Sequence, residues 1–394
     1  MQIADRLASL QTNVFADMDS AKAKAIANGK PLIDLSLGSS DLPTPPHILN
    51  VISEALNDPE THGYALFNST QDFRIAAASW YEKKFGIAVD SETEVMPLIG
   101  SQEGTAHLPL AIMNPGDVAL LQDPGYPSHA GGVYLAGGEI YPMPMTAKNN
   151  FLPVLSDIPA DVVEKATMMV LSYPHNPTTA IAPLSFFKSA VTFCQQHNIA
   201  LVHDFPYTEL YFDEPVPSLL QADPERAVSI ELFSLSKSYN MGGFRVAYAI
   251  GNAQLIKGLR QVKATVDFNQ YRGILRGAIA ALSGPQDCVT KTVETFASRR
   301  DAAVTALRSI GWSVPFPSAT MYIWAKLPAN LPNNWAEQSI DFCSALVAET
   351  GVALSPGRGF GQSGEGYVRF ALVHPPEVIT TAIKRIGEFS LKHR

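Results

Sequence analysis

The sequence predicts an α/β protein with a mostly parallel sheet, followed by a smaller α+β region. Three observations carry this. Short apolar runs bounded by turn residues recur through the middle of the chain, as in strands covered on both faces. A helical stretch separates two of them, which makes a β-α-β alternation. The tail then changes to a basic helix, short strands and a closing helix.

In chain order, Ala4 to Ala27 reads as helical and is expected to pack against the tail rather than the middle. Val95-Met96-Pro97-Leu98-Ile99 is an apolar run that leads through Gly100 into a helix. Strands are expected at Val118–Leu121, Met168–Leu171, Ile199–Val202 and Val246–Ile250, with a further apolar run at Glu231-Leu232-Phe233. Ser185 to His197 reads as a helix with Phe186, Ala190, Phe193 and Cys194 on one stripe. In the tail, Ala297 to Ile310 reads as a basic amphipathic helix. Strand-like pieces follow at Met321–Trp324 and Tyr367–Phe370, then a helix from Pro376. The expected division is a large domain over 46–289 and a small one from 1–45 and 290–394.

Length and composition narrow the function. The 394 residues, 46% hydrophobic and 17% charged, fit an enzyme-sized globular chain with a large interior. A net charge of −8 with no basic cluster argues against nucleic acid or an anionic membrane as the main partner. No apolar run approaches the roughly 20 residues of a membrane helix, and the polar start Met1 to Arg6 does not read as a secretory signal. Cys194, Cys288 and Cys343 lie far apart and match no metal spacing. A reducing cytosol fits that usage.

In open α/β sheets, ligands bind beyond the carboxyl ends of the strands, so the residues after each run matter. Gly100-Ser101-Gln102 opens a helix and offers free N–H groups to a phosphate. Asp123-Pro124-Gly125-Tyr126-Pro127 presents an aromatic ring. Ser172 to Thr178 contains Asn176-Pro177, and His203-Asp204-Phe205-Pro206-Tyr207 puts an acid and a phenol at a strand end. A carboxylate there is costly unless a cation pairs with it. Ser234-Leu235-Ser236-Lys237 places an amine among small hydroxyls, with Arg245 eight residues on. Such a lysine is a candidate Schiff-base former, and pyridoxal phosphate (PLP) is the commonest carbonyl cofactor held this way. Each piece alone is an ordinary turn, cap or surface lysine. Their convergence at successive strand ends is hard to obtain from structural turns.

These pieces carry a resemblance. Ser234-Leu235-Ser236-Lys237-Ser238-Tyr239-Asn240-Met241-Gly242-Gly243-Phe244-Arg245, Asn176-Pro177, Asp204-Phe205-Pro206-Tyr207 and Gly366-Tyr367-Val368-Arg369-Phe370 are similar in order and spacing to the class I/II aminotransferases of the PLP-dependent fold type I superfamily. The likeness runs nearly end to end. It is strongest to the branch holding bacterial alanine transaminases and LL-diaminopimelate aminotransferases. It implies a mostly parallel seven-stranded sheet between helices, plus the smaller α+β domain.

The resemblance also implies roles. Lys237 would carry the cofactor and shuttle a proton between the substrate α-carbon and the cofactor. Asp204 would pair with the pyridinium nitrogen, while Tyr207 and Asn176 bond the ring's phenolate oxygen. Tyr126 would stack on the ring. Ser101, Gln102, Ser234 and Arg245 would hold the phosphate, and Tyr64 would reach the phosphate of a neighbouring subunit. Arg369 would grip the substrate α-carboxylate, helped by Asn176 and the backbone at Gly38. Two segments depart from the family pattern. Tyr64 to Gln71 lacks the usual glycine, and Asp267 to Gly273 brings Arg272, a candidate for a substrate's distal carboxylate or the cofactor phosphate, or for an interface ion pair. Gly357-Arg358-Gly359-Phe360-Gly361 follows no β-α unit and reads as a loop at the site mouth. The expected activity is ping-pong amino transfer to a 2-oxo acid, 2-oxoglutarate being the expected acceptor, in a cytosolic homodimer with shared active sites. Alanine, aspartate and LL-diaminopimelate are the candidate donors. A PLP-dependent lyase or synthase shares the scaffold, and a non-catalytic PLP-binding regulator lacks its DNA-binding helices here. No metal is expected.

Overall fold

The computed structural model describes residues 4–10 and 14–393. Twelve strands appear among them: β1 (Ile33–Asp34), β2 (Val95–Leu98), β3 (Val118–Asp123), β4 (Glu139–Pro144), β5 (Ala166–Ser172), β6 (Ala200–Asp204), β7 (Ser229–Ser234), β8 (Ala247–Gly251), β9 (Tyr322–Lys326), β10 (Val352–Ala353), β11 (Ser355–Pro356) and β12 (Tyr367–Ala371). Seven form one sheet in the order β2-β8-β7-β6-β5-β3-β4. The pairs β4–β3, β3–β5, β5–β6 and β6–β7 are parallel, and β8 runs antiparallel to both β7 and β2. The sheet is therefore mixed and mostly parallel, the architecture of fold type I.

Alternate residues of each strand point to opposite faces, and both faces are covered. Leu121, Val170, Val202 and Leu232 pack against Leu108, Val133, Ile256 and Leu259 of one helical layer. Leu120, Met169, Leu171 and Leu201 pack against Phe187, Ala190 and Cys194 on the other face. Farther along that face, Phe233, Tyr248 and Ile250 meet Phe73, Ala77, Leu275 and Ala278. Continuous apolar strands are the result. The edge strands read less clearly. β4 contains Pro142 and Pro144 and is half exposed, so no strand is legible in its sequence; proline is tolerated at an edge, where one side of the ladder is free.

A separate core joins the N-terminal helix Val14–Ala27, through Met18 and Ala25, to the tail helices and the β11-β12-β9 sheet. The expected packing on the tail is found for that helix, but the 3-10 segment Asp5–Leu10 packs instead against the helix Ser128–Ala136 in the middle of the chain, and residues 11–13 of the expected helical stretch lie outside the described residues. Two further expectations shift. The helix Leu184–His197 buries Phe187, Ala190, Val191 and Cys194, the true i, i+3, i+4, i+7 stripe, and Phe186 and Phe193 sit at its margin. The tail helix spans Asp287–Ser309, beginning well before Ala297. Thr292 and Thr295 donate their hydroxyls to the carbonyls of Cys288 and Lys291 at 2.9 and 2.8 Å, which gives both a partner within the helix.

Beneath the sheet lies a polar knot with no exposed surface. Glu231 accepts hydrogen bonds from Ser218 Oγ at 2.6 Å, the Leu219 backbone N–H at 2.7 Å and Tyr81 OH at 3.2 Å, and sits 2.8 Å from His203 Nδ1. Burial, then the Glu231 charge, pushes the Tyr81 hydroxyl well above its usual range. Replacing Glu231 with leucine strands the Leu219 N–H and His203 Nδ1 and leaves Tyr81 and Ser218 only their mutual bond at 2.6 Å. The expected cost is about 3–5 kcal/mol, the scale for breaking a buried pair from one side. Urea denaturation of the purified variant checks it, and Glu231→Gln, which keeps one acceptor, should lose less.

Candidate active site

The strands β3, β5, β6 and β7 present Asp123, Ser172, Asp204 and Ser234 at their carboxyl ends. Here the chain folds around a cavity of about 560 Å³. Its wall holds Gly38, Ser101, Gln102, Tyr126, Asn176, Asp204, Tyr207, Ser234, Lys237, Arg245 and Arg369. Most of the site residues expected from sequence are thus brought together. Tyr64 and Arg272 are not among them. Tyr64 is 85% exposed, and Arg272 donates to the Glu60 and Tyr64 carbonyls at 2.8 and 3.0 Å and to Ser69 Oγ at 3.1 Å. Arg272 therefore braces the segment that carries Tyr64.

One end of the cavity is an anion cradle. The helix Ser101–Ile112 starts at Gly100 with no side-chain cap, so its first N–H groups face outward as free donors. Gly100 has φ 78°, and a Cβ there would stand 2.3 Å from Arg245 Nη2. Only glycine lets the guanidinium lie against that turn. Ser234 caps the short helix Leu235–Ser238 by accepting from the Ser236 N–H at 3.2 Å, which fixes Lys237 on its first turn. Lys237 Nζ crosses the cavity and donates to the Gly38 carbonyl at 2.5 Å.

The floor is Asp204. It is 5% exposed, and its Oδ2 lies 3.0 Å from His129 Nε2. Its Oδ1 is buried with no partner. A buried carboxylate oxygen left alone costs free energy, so this atom points to a cationic or N–H group supplied by a ligand. Tyr126 stands beside it, its ring edge-on to His129 at 5.7 Å.

The far end belongs to Arg369. Its Nη1 donates to Asn176 Oδ1 at 2.7 Å, and its Nη2 donates to the Ser36 carbonyl at 2.7 Å and to Ser355 Oγ at 3.2 Å. The guanidinium lies over the rings of Tyr322 and Phe360 at 4.3 and 4.7 Å. Arg369 accordingly orients the Asn176 amide, with Oδ1 toward the guanidinium and the NH₂ left for the cavity. Phe360 puts the expected mouth loop Gly357–Gly361 on the wall of the site.

Three residues escaped the sequence reading. His129 looked like an ordinary helix residue, and only the fold brings it to Asp204. Tyr322 lies on β9, far along the chain, yet its OH is 2.8 Å from Tyr207 OH. Tyr207 thus shares its hydroxyl with a second phenol. Burial, then the neighbouring Tyr322, raises the Tyr207 hydroxyl well above its usual range. Burial also opposes ionisation of Tyr322, but the Arg369 and Lys237 charges outweigh it and lower that phenol. Ser36 contributes a backbone carbonyl, which no side-chain pattern announces.

A lysine amine, a buried acid with a free oxygen, an uncapped helix start and a buried arginine meet in one cavity on this sheet, the constellation of a PLP-dependent transaminase-type enzyme. The chain belongs to the class I and II aminotransferase family, whose pattern matches residues 30–386. It is 43% identical to an LL-diaminopimelate aminotransferase of Dehalococcoides mccartyi over 99% of both chains. It is 40% identical to LL-diaminopimelate aminotransferase 2 of a Nostoc species over the full length of both. An aminotransferase structure from Staphylococcus aureus superposes over all of both chains with a TM-score of 0.90 at 30% identity.

Proposed function

We propose that the chain transfers the amino group of LL-diaminopimelate to a 2-oxo acid, 2-oxoglutarate, in ping-pong fashion with PLP as cofactor. The observation that carries the cofactor assignment is the unpartnered Asp204 Oδ1 in the same cavity as Lys237 and the Gly100–Arg245 cradle. The donor follows the function of the relatives matched over essentially the whole chain.

The residues fit the group. Ser101, Gln102, Ser234 and Arg245 would hold its phosphate, Asp204 its ring nitrogen, and Asn176 and Tyr207 its phenolic oxygen, with Tyr126 against the ring. When bound, PLP supplies an electron sink for the bond broken at the substrate α-carbon. The chain does the rest. Arg369 binds the α-carboxylate and fixes the α-carbon beside Lys237. The Lys237 amine would take the α-proton and return it, as general base and then acid. Asp204 keeps the ring nitrogen protonated, and His129 holds Asp204 in place.

The same reading retains the division into a 46–289 domain and a small domain of 1–45 and 290–394. It also includes a cytosolic homodimer in which Tyr64, with Arg272 behind it, reaches the partner's phosphate cradle. Tyr64 and Phe268 lie with their ring centroids 6.4 Å apart, both exposed, which suits a surface that a second copy covers.

Borohydride tests the central assignment. Purified protein should carry a yellow chromophore, and reduction should lock it onto Lys237, read by peptide mass. Colourless protein that gains no mass at Lys237 would sink the reading. Incubation with LL-diaminopimelate alone should then shift the chromophore in one half-turnover, and 2-oxoglutarate should restore it.

A further inference from the structure

The cavity wall extends past Arg369 to a second pair of charges on the N-terminal helix. Lys22 and Asp19 line it, together with Met18 on the same helix and Leu37 beside Ser36. Lys22 Nζ lies 2.8 Å from Asp19, 3.2 Å from Asp34 and 3.4 Å from Ser36 Oγ. Ser36 therefore connects two cations: its hydroxyl meets Lys22, and its carbonyl accepts from Arg369 Nη2 at 2.7 Å. Asp34 is fixed, because it accepts from the Ser36 N–H and hydroxyl at 2.8 and 2.6 Å. Asp19 is not fixed in this way, and its side chain is 72% exposed. Lys22 is 15% exposed. Burial works against its charge, but Asp19 and Asp34 outweigh burial and keep it protonated.

We propose that Lys22 and Asp19 together receive the distal amino-acid head of the substrate, Lys22 taking its carboxylate and Asp19 its ammonium. This rests on the transaminase reading above and names how the same cavity selects its donor. A zwitterionic head replaces the Lys22–Asp19 contact with two contacts of the same sign pattern, so no charge is left unpaired. Asp34 stays behind Lys22 and holds it toward the cavity. Met18 and Leu37 give the intervening methylenes apolar wall. A donor with a short side chain reaches Arg369 but neither of these groups. The helix that packs on the tail thereby becomes part of the substrate site.

The test compares the holoenzyme with Lys22→Gln, Lys22→Arg and Asp19→Asn. Four donors are used: LL-diaminopimelate, L-2-aminoadipate (distal carboxylate only), L-lysine (distal ammonium only) and L-alanine (neither). Half-reaction kcat/KM is read spectroscopically, and affinity is read by calorimetry. Lys22→Gln should lose about tenfold or more on LL-diaminopimelate and aminoadipate, the scale of one charged hydrogen bond. Asp19→Asn should lose on LL-diaminopimelate and lysine, Lys22→Arg should recover most of the carboxylate contact, and alanine should stay within about twofold throughout. Equal losses on all four donors would mean that Lys22 only holds the helix, and that outcome overturns the proposal, as does no loss on any. Wild-type enzyme that converts alanine but neither converts nor binds LL-diaminopimelate rejects both the donor and this subsite. If no donor turns over, the transaminase reading fails, while calorimetry still decides the subsite.

Discussion

Replacing Lys237 with alanine should abolish amino transfer while leaving the fold intact. Lys237 sits on the first turn of the short helix Leu235–Ser238 and is only half buried. Its amine makes one hydrogen bond within the chain, to the Gly38 carbonyl. Gly38 lets the backbone lie against the Tyr322 phenol, since a Cβ there would stand 2.0 Å from Tyr322 OH. Truncation removes one bond at the rim of a solvent-open cavity, so thermal unfolding should move little.

The chemical loss is of another order. The cavity wall holds Arg369, Asn176 and Tyr207 beside Lys237, while its other lysine, Lys22, is paired with Asp19 and Asp34. Tyr207 and Tyr322 are bonded to each other, and burial holds Tyr207 in its neutral form. Neither is placed to replace an amine that both accepts and returns the α-proton. Positioned proton transfer contributes about 10²–10⁴-fold, and the covalent hold on the cofactor is lost as well. Half-transamination by Lys237→Ala should therefore fall by about 10⁴-fold or more, measured in a single turnover at saturating donor. Retention of the cofactor's absorbance after gel filtration, through the Gly100–Arg245 cradle, separates lost chemistry from lost binding. A variant that keeps more than a hundredth of the wild-type rate would remove Lys237 from the proton transfer.

Much of this site was legible because its polar groups follow apolar strands. The run Met168–Leu171 announces β5, so Asn176 beyond it reads as a strand-end group. The same holds for Asp204 after β6 and Lys237 after β7. Three kinds of information were not legible. Contacts between distant elements, such as His129 with Asp204 and Tyr322 with Tyr207, are set by tertiary packing that periodicity does not encode. Backbone groups carry no side-chain signal, so the Ser36 carbonyl that accepts from Arg369 went unseen, while the backbone at Gly38 came only from the family resemblance. Edge strands escape the apolar pattern, as β4 does with its prolines. On the helix Leu184–His197 the expected stripe is right at Ala190 and Cys194 and off by one residue only at Phe186, with Phe193 at the margin, because both rings are large and apolar. They attract the eye, yet only Phe187, Ala190, Val191 and Cys194 face the sheet.

Changing Asp204 to asparagine should separate cofactor capture from catalysis. The carboxylate is nearly buried, and its two oxygens have unequal surroundings. Oδ2 pairs with His129 Nε2 at 3.0 Å, while Oδ1 has no partner within the chain. Asparagine preserves the shape and can keep its carbonyl toward His129. Its NH₂ then occupies the place of Oδ1, and an N–H donor there opposes a protonated ring nitrogen where a carboxylate favours it. The phosphate cradle and Lys237 are untouched, so the variant should still bind the cofactor and still be trapped by borohydride. Its kcat should fall by about 10²–10³-fold, the scale for losing one preorganised electrostatic partner. The KM for the donor should change little, because the contacts proposed for the α-carboxylate, Arg369 and Asn176, do not involve Asp204. The cofactor-free form should be no less stable than wild type, since the exchange removes a buried carboxylate oxygen that no group of the chain satisfies. A loss confined to KM, or a variant that no longer captures the cofactor, would mean that Asp204 anchors the ring and does not govern its chemistry.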